Sequence, residues 1–540
     1  MSTVSLLVKD IALSPDSPEE LACETALKKL KKHGLLHFAN GQKNTAYISR
    51  RSIDARKKDS VRLIYTVTVS DLLLKKERLT SLPEGISSKV EEAPLPQKGQ
   101  APLSHPAVIV GSGPAGLFSA LLLAEEGYRP LLVERGGDIS ERVQAIEKFY
   151  SSRVLDTETN VQFGAGGAGT FSDGKLVTRV NDPMNNYVLR RFCEFGAPKE
   201  ILVHAKPHIG TDILRTVVSN MVEKIRSLGG EVRFHTCLED LTIKNGRLFG
   251  VRLNGTDVPC EALILAIGHS ARDTYEMLLQ KPLMIECKPF SVGMRIEHLQ
   301  SEIDQAMYGS FAGHPKLGHA EYSLSANTDT RGVYTFCMCP GGEVMAAASE
   351  EGGLVVNGMS HHARSGRNAN AAIAVSVFPE DYGATPECAI AYQRSIERAA
   401  FCAGGGDYTA PLCTVGDLLE NSYRTEPKRI TPTYMGGHAF RIADPSSFLP
   451  AQTVTSLREG ICAFGRRLHG FDTKDALLTG AETRTSAPIR ILRNPEREAV
   501  GCQGLYPCGE GAGYAGGITS AALDGLRTAM ALMACYAPPF

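Results

Sequence analysis

Three glycines with the spacing Gly111-x-Gly113-x-x-Gly116 form the most specific chemical signal in the sequence. They follow a short apolar run at residues 107–110 and precede residues 117–124, whose leucines and alanines recur near the helical period. A glycine turn between a buried strand and a helix lets backbone N–H groups approach a pyrophosphate, and the helix N-terminus adds a positive dipole. The residues that we predict to hold a dinucleotide here are Gly111, Gly113, Pro114, Ala115 and Gly116.

Glu134 directly follows a second apolar run, residues 131–133, on the far side of the predicted helix. A carboxylate at the end of this strand is placed to accept a hydrogen bond from an adenosine ribose 2′-OH. The same charge would repel a 2′-phosphate, so NADP is disfavoured at this site. A glycine-rich turn in an ordinary βαβ unit is the alternative. Both strands, the helix and the acidic residue occur in the expected order and spacing, which favours a dinucleotide-binding site.

Length and composition indicate a multi-domain globular protein. The chain has 540 residues, with 58 basic and 59 acidic side chains and 43% hydrophobic residues. This near-balance of charge gives no global attraction to nucleic acid or to an anionic membrane. No apolar run reaches the roughly 20 residues that a membrane span needs, and the N-terminus lacks a signal-peptide pattern. We therefore expect a cytoplasmic protein without a membrane partner.

The 14 cysteines are scattered without the spacing of a disulfide framework or of a zinc site. This distribution predicts reduced thiols and no metal centre. Cys337 and Cys339 form one close pair, and two interpretations of it stay open. They could be part-buried residues at the end of a strand, or one of them could be a thiol beside a bound cofactor.

A second glycine-rich segment occupies residues 160–176. No buried strand leads into it and Gly174 prevents a long helix after it, so we interpret it as a loop whose backbone lies against a flat ligand. Lys175 could either brace this loop or contact the ligand. The glycines of the loop that we predict to lie at the ligand are Gly166, Gly167 and Gly169.

Two further apolar runs, residues 262–267 and 504–508, read as buried strands that end in glycine. In an open parallel sheet the carboxyl ends of the strands carry the ligand. The second run leads into a glycine loop with one acidic residue and then into a helix that reaches about residue 534. The residues that we predict at the cofactor here are Gly268, Gly509, Glu510, Gly517 and Ile518.

The order of patterns predicts five segments. They are an N-terminal α+β domain at 1–87, a linker at 88–105, a first part of the nucleotide-binding domain at 106–285, an inserted substrate domain at 286–480 and a C-terminal part at 481–540. Short strands dominate the first half of the insertion and helices the second. The segment at 50–58 carries five basic residues without interleaved aromatic side chains, and we interpret it as a solvated loop.

The first glycine turn and the acidic C-terminal element together resemble the FAD-binding fold shared by p-hydroxybenzoate hydroxylase and glutathione reductase. The resemblance implies FAD as the cofactor, with Glu510 beside the ribityl chain, where many relatives carry aspartate. The C-terminal helix would point its N-terminus at flavin N1 and the C2 carbonyl and stabilise an anionic reduced flavin. The fold class implied is α/β, with an FAD-binding Rossmann-type domain, an inserted β-rich and helical domain and a small N-terminal α+β domain.

Five segments narrow the resemblance to a family of predicted FAD-dependent dehydrogenases with an extra N-terminal domain. They are residues 52–57, 163–175, 337–342, 482–488 and 508–520. The family implies FAD and oxidoreductase chemistry but no settled substrate. This sequence departs from it at Ala165, where an acidic residue is expected. Because alanine has no ionisable group, this position cannot supply a catalytic side chain. The backbone of the loop can still lie against the ligand.

We expect an FAD-dependent oxidoreductase that passes hydride between flavin N5 and a small-molecule substrate or a transiently bound NAD(P)H donor. The candidate catalytic residues are Lys175, Arg484 and His361, the last in a polar loop at 357–370 that either faces the substrate or is simply exposed. Two alternatives stay open. One is an RNA-binding flavoprotein involved in RNA modification, although nucleic acid is not favoured as a partner; the other is a redox-silent FAD-binding scaffold.

Overall fold

The computed structural model describes residues 2–37, 45–57, 60–89, 95–178, 180–329 and 331–539. The N-terminal unit consists of β1 (Ser2–Leu13), α1 (Glu20–Lys32), β2 (Thr45–Asp54), β3 (Arg62–Leu74), α2 (Lys76–Leu79) and β4 (Ile86–Ser88). Its strands form an antiparallel sheet in the order β2-β3-β1-β4. Helix α1 buries Ala22, Ala26 and Leu30, which recur every four residues and so form one apolar stripe.

The prediction of a solvated loop at residues 50–58 is wrong for its first half. Arg51 lies inside β2, because the long apolar strand β3 continues the hydrogen-bonded ladder through this position. The Arg51 guanidinium donates to Glu19 Oε1 at 2.7 Å and lies 2.6 Å from His204 Nε2. Since this charge is already paired with Glu19 in a partly exposed contact, it is poorly placed to hold RNA phosphates.

Parts of the predicted basic segment and of the predicted linker lie outside the described residues. Lys58, at the end of the basic segment, and residues 90–94 of the predicted linker lie outside them. The rest of the linker, from residue 95 to residue 105, forms no helix and no extended strand, and Ala101 makes a single bridge to Tyr536 near the C-terminus.

The nucleotide-binding unit is built from two separate parts of the chain. Its first part contains β5 (Val108–Val110), α3 (Pro114–Glu125), β6 (Leu131–Val133), α4 (Ile139–Ser152), α5 (Asn185–Glu194), α6 (Thr211–Ser227), β7 (Glu231–Arg233), β8 (Leu238–Lys244), β9 (Arg247–Leu253), β10 (Thr256–Pro259), β11 (Leu263–Leu265) and α7 (Arg272–Leu279). Strands β8 and β9 pair antiparallel on either side of Gly246 and form a hairpin.

The intervening domain is a mixed sheet flanked by helices. Its elements are β12 (Ile285–Cys287), β13 (Phe290–Leu299), α8 (Gln300–Tyr308), β14 (Ser325–Asn327), β15 (Gly332–Cys339), β16 (Glu343–Ala346), β17 (Val356–Met359), β18 (Asn368–Val377), α9 (Pro386–Gly404), β19 (Ala410–Thr414), α10 (Val415–Glu420), β20 (Phe440–Ile442), α11 (Ala451–Gly465) and β21 (Leu477–Glu482). Seven of these strands form one sheet in the order β14-β15-β18-β13-β21-β19-β20.

The C-terminal segment returns to the first sheet through β22 (Ile489–Ile491), β23 (Leu505–Pro507) and α12 (Ile518–Cys535). Strand β23 completes a five-stranded parallel sheet in the order β23-β11-β5-β6-β7. Strands β5, β6, β11 and β23 are buried along their whole length, as expected for a parallel sheet covered on both faces. This arrangement confirms the predicted α/β class with an inserted domain.

Helix α3 is buried on nearly all sides, because it lies between the parallel sheet and α12. Ser119 of α3 donates to the carbonyl of Gly525 in α12 at 3.0 Å, so the two helices are in direct contact. Across the described segments, no helix combines the length and the apolar character needed to cross a bilayer.

Candidate functional site

A cavity of about 330 Å³ runs from the glycine turn after β5 to the intervening domain. Its volume falls within the range of small-molecule sites, about 300–1,000 Å³. Most of the residues predicted from the sequence line it: Gly111, Gly113, Pro114, Ala115, Glu134, Gly167, Gly169, Lys175, Gly268, Arg484, Glu510, Gly517 and Ile518. The remaining four are Gly116, Gly166, Gly509 and His361.

Gly116 shapes the site without facing the cavity. A Cβ atom at this position would lie 1.8 Å from the carbonyl oxygen of Gly111, so only glycine lets α3 approach the turn. Gly111 itself has φ of +95°, and an added Cβ would lie 2.3 Å from the Ala266 carbonyl oxygen. The glycine spacing is therefore required by the path of the backbone, which leaves the N-terminus of α3 open towards the cavity.

The Glu134 carboxylate is engaged by donors of the protein itself. Its Oε2 accepts from the backbone N–H and the hydroxyl of Ser112, both at 2.8 Å. Its Oε1 accepts from the N–H groups of Gly136 at 3.1 Å and Gly164 at 2.9 Å. A carboxylate offers about four acceptor positions. A ribose hydroxyl could therefore bond to Glu134 only by sharing or replacing a bond such as that from the Ser112 hydroxyl.

The second glycine loop packs directly on the first. The N–H of Gly166 donates to the Ser112 carbonyl at 3.0 Å, and a Cβ at Gly167 would lie 2.9 Å from the Gly113 Cα. The fully buried Arg142 guanidinium of α4 donates to backbone carbonyls of this loop, including that of Ala165 at 2.5 Å. Ala165 is itself buried, so the position where the sequence departs from the family presents no side chain to solvent.

Lys175 reaches the cavity from a buried cluster of charges. Its ammonium group donates to Asp173 Oδ2 at 2.9 Å and also to the Met338 carbonyl. Asp173 is bound on its other side by Arg364 at 2.6 Å, and Arg364 bonds to Glu321 at 2.7 Å. Burial disfavours the charged carboxylate, but Lys175 and Arg364 together hold the pKa of Asp173 below its ordinary value. The cluster fixes the glycine loop to the inserted domain.

The prediction that His361 faces the active site is not supported, because His361 lies outside the cavity. Its side chain is 54% exposed, and Nδ1 is 4.0 Å from Asp212 Oδ1 at the surface. The loop between β17 and β18 turns inward at Arg364, which has φ of +50°, and this turn leaves His361 facing solvent. Arg364 is therefore a buried member of the loop, for which exposure was one of our two interpretations.

Arg484 lines the cavity, but its guanidinium is committed to structural partners. It donates to the Glu397 carboxylate at 3.1 and 2.9 Å and to the Ser349 hydroxyl. Arg272 binds the same carboxylate from the nucleotide-binding unit. The geometry gives Arg484 a positioning role at the wall of the cavity.

Glu510 stands at the carboxyl end of β23 and lines the cavity. Burial raises the pKa of its carboxyl group to about 7, and the nearby Lys288 only partly offsets this effect. The preceding residue, Gly509, donates its N–H to Asp524 of α12 at 2.8 Å, which fixes the loop. Gly517 and Ile518, at the start of α12, complete this end of the cavity and bring the helix N-terminus to it.

Several cavity residues carry no recognisable sequence signal. Ser112, which binds Glu134 without lining the cavity, was missed because any small residue satisfies the glycine pattern. Arg135, which lines the cavity, was missed because it is one of many charged residues that follow a strand. Arg135 lies 4.4 Å from the centre of the Phe163 ring and pairs with Glu158 and Asp273. The remaining lining residues that sequence reasoning did not select include Asn357, Glu482 and Thr485. In the described part of the chain, no group of His, Cys, Asp or Glu side chains is arranged to hold a metal.

The residues present fit FAD. The turn and the α3 N-terminus suit a pyrophosphate, Gly167 and Gly169 line the cavity where a flat ring would lie, and the α12 N-terminus suits an anionic flavin. The cavity joins these features without interruption. This fit agrees with the cofactor that the sequence resemblance implied.

Comparison with known proteins gives matches of three kinds. Residues 104–148 match the model of an FAD binding domain, and residues 289–485 match the model described as "FAD-dependent protein, C-terminal domain-like". An uncharacterized protein of Clostridium beijerinckii is 47% identical over 491 residues, which cover 89% of this chain and 91% of the relative.

Two solved structures show the extent of structural similarity. A geranylgeranyl bacteriochlorophyll reductase-like protein of Thermoplasma acidophilum is 12% identical, with a TM-score of 0.33 and coverage of 78% of this chain and 76% of that one. The halogenase PltM is 12% identical, with a TM-score of 0.36 and coverage of 79% and 67%. The family models and the Clostridium relative show that the chain belongs to the family of FAD-dependent proteins that the sequence resemblance indicated.

Proposed function

We propose that this protein is an FAD-dependent oxidoreductase that passes hydride between flavin N5 and a small organic substrate. The observation that carries the proposal is the continuity of the cavity. It begins at the Gly111 turn and ends against Phe336, Cys337 and Asn357 of the inserted domain. A cofactor that follows this path would present its ring to the inserted domain, where a substrate can approach it.

When bound, FAD supplies two-electron chemistry at its ring. The chain supplies orientation and charge. The N-terminus of α3 faces the pyrophosphate position, and that of α12 faces the ring end, where its dipole would stabilise negative charge. Lys175, held between Asp173 and the Met338 carbonyl, places a second positive charge at this end.

The number of nucleotide-binding units restricts how a nicotinamide donor could bind. Among the sheets of the described residues, one is parallel throughout, and it belongs to the FAD unit. We therefore propose that NAD(P)H, if it is the donor, binds transiently against the inserted domain. Otherwise the substrate itself delivers the electrons.

A visible spectrum of the purified protein, recorded anaerobically before and after addition of NADH or NADPH, tests the proposal. We expect a flavin band that bleaches with a nicotinamide or, if it does not, with an organic donor. A colourless protein that takes up no added FAD would overturn the assignment. A flavin band that every donor tested leaves unchanged, while dithionite bleaches it, would favour a redox-silent scaffold.

A matched pair of variants locates the chemistry. Lys175→Met removes a charge that lines the cavity, whereas His361→Ala removes a side chain that lies outside it. We expect a slower bleaching rate or a shifted flavin band for the first and wild-type behaviour for the second. Equal effects of the two variants would place the reacting end of the cavity elsewhere.

A further inference from the structure

Cys337 and Cys339 lie where β15 ends against the cavity. Cys337 lines the cavity and is half-buried, whereas Cys339 is fully buried behind it. Between Phe336 and Cys339, strand β15 contains one residue more than its partner β18, which is a β-bulge. Cys337 has φ of +44°, a left-handed conformation that costs a non-glycine residue free energy. Bulges next to active sites redirect side chains, and this one lies where Cys337 lines the cavity.

Two cations hold this turn from either side. The fully buried Arg295 donates to the Cys337 carbonyl at 2.6 Å and lies 3.5 Å from the Cys339 sulfur. Lys175 donates to the carbonyl of Met338, which separates the two cysteines. Positive charge beside a sulfur stabilises its thiolate. Both cations therefore act on the thiol pair at the end of the cavity where the flavin ring is proposed to lie.

The charged groups that face Cys337 are Arg295, Lys175, Asp173, Glu482 and Glu510. Glu482 is neutralised by Arg295, whose guanidinium donates to both carboxylate oxygens at 2.9 and 2.8 Å. A hydrogen bond from the Cys339 thiol, opposed by burial and aided by Arg295 and Lys175, holds the pKa of Cys337 below its ordinary value. The pKa of Cys339 is correspondingly raised.

We propose that Cys337 and Cys339 are a redox-active dithiol that exchanges two electrons with the flavin. In one direction an S–S bond between the two sulfurs breaks, two electrons and one proton arrive from the anionic reduced flavin, and the Cys337 thiolate and the Cys339 thiol form. In the other direction the thiolate and the thiol pass two electrons and one proton to the oxidised flavin as the S–S bond forms. The inference rests on the proposed function, because it needs FAD in the cavity.

The short spacing of the two cysteines along the sequence supports a disulfide that forms and breaks reversibly. Only one residue lies between the two cysteines, so their disulfide closes a small, strained ring. Strained disulfides have higher reduction potentials than structural ones and are readily reduced. Cys337 is the member open to the cavity, so it would receive an external thiol or disulfide, while Cys339 would resolve the mixed disulfide.

Two measurements on the FAD-loaded protein test the proposal. Anaerobic dithionite titration of the oxidised protein should consume two electron pairs per flavin for the wild type and one for Cys337→Ser and Cys339→Ser. After alkylation of free thiols, peptide mapping of the oxidised protein should find Cys337 linked to Cys339. Dithionite that supplies one electron pair per flavin should reduce this disulfide to free cysteines. Cys402→Ser, which removes an exposed cysteine outside the cavity, is the control and should behave as wild type.

The outcomes separate the two proposals. FAD-loaded wild type that takes up one electron pair, with free thiols at both positions after oxidation, overturns the dithiol alone. A protein that binds no FAD overturns the proposed function and the dithiol together. Flavin content and melting temperature of the serine variants, measured alongside, identify any variant that has lost its fold; Cys337→Ala then replaces it in the same titration.

Discussion

The Glu397 carboxylate of α9 accepts hydrogen bonds from both terminal nitrogens of Arg272, at 2.6 and 2.7 Å, although the two residues belong to different domains. Both side chains are only 1% exposed. Arg484, beyond the end of β21, binds the same carboxylate. The three side chains therefore join the inserted domain to the nucleotide-binding unit beside the cavity.

Replacement of Glu397 by alanine is expected to lower the free energy of unfolding by about 3–5 kcal/mol, because the buried Arg484 guanidinium loses its carboxylate partner. Arg272 loses the same carboxylate but keeps its ion pair with Glu350 at 2.7 Å. Urea unfolding of the wild type and the variant measures this difference. Glu420→Ala is the control, since Glu420 is exposed and makes a surface salt bridge with Lys474. Equal losses in the two variants would contradict a structural role for the Glu397 cluster.

Gly116→Ala should abolish FAD binding or folding of the nucleotide-binding unit. The new Cβ would lie 1.8 Å from the Gly111 carbonyl oxygen, a backbone atom that cannot move without opening the turn. Flavin absorbance per protein after dialysis against FAD measures the effect. Gly353→Ala is the control, because its added Cβ would meet no atom closer than 3.5 Å. Full flavin content in Gly116→Ala would show that the turn tolerates expansion.

Glu134→Gln should weaken FAD retention and lower the free energy of unfolding. The carboxylate accepts four hydrogen bonds from Ser112, Gly136 and Gly164, and a carboxamide would turn an NH₂ group towards two of these donors. A buried donor left unpaired costs about 1–3 kcal/mol. FAD dissociation and urea unfolding measure the two effects, with the exposed Glu223→Gln as control. Wild-type values for both would mean that the two glycine loops do not depend on this residue.

The glycine turn and the parallel sheet could be predicted because their causes are local. The apolar run before Gly111, the spacing to Gly116 and the acidic residue after β6 each follow from one short segment, and the structure places them as expected. The predicted class of fold, with an inserted domain, is confirmed for the same reason.

The partners of the polar side chains could not be predicted, because they come from distant segments. Nothing in the sequence near Arg484 indicates that Glu397 will occupy its guanidinium, and nothing near His361 indicates that Arg364 will turn inward in its place. The position of Cys337 depends on a bulge, which forms through the register of β15 against β18. These features follow from tertiary packing, and no periodic pattern in the sequence indicates them.

The carboxyl group of Glu510 should make the stability of the FAD-free protein depend on pH. Burial raises its pKa from the ordinary 4.5 to about 7, so between these values the unfolded chain releases this proton while the folded protein retains it. The contribution of Glu510 to stability therefore falls as pH rises from about 4.5 to about 7 and stays low above that range. Melting temperatures of wild type and Glu510→Gln at several pH values measure this contribution, since the effects of other titrating groups cancel in the difference.

We expect the variant to gain stability relative to wild type as pH rises from about 4.5 to about 7. A difference that stays constant with pH would show that Glu510 ionises normally in the folded protein.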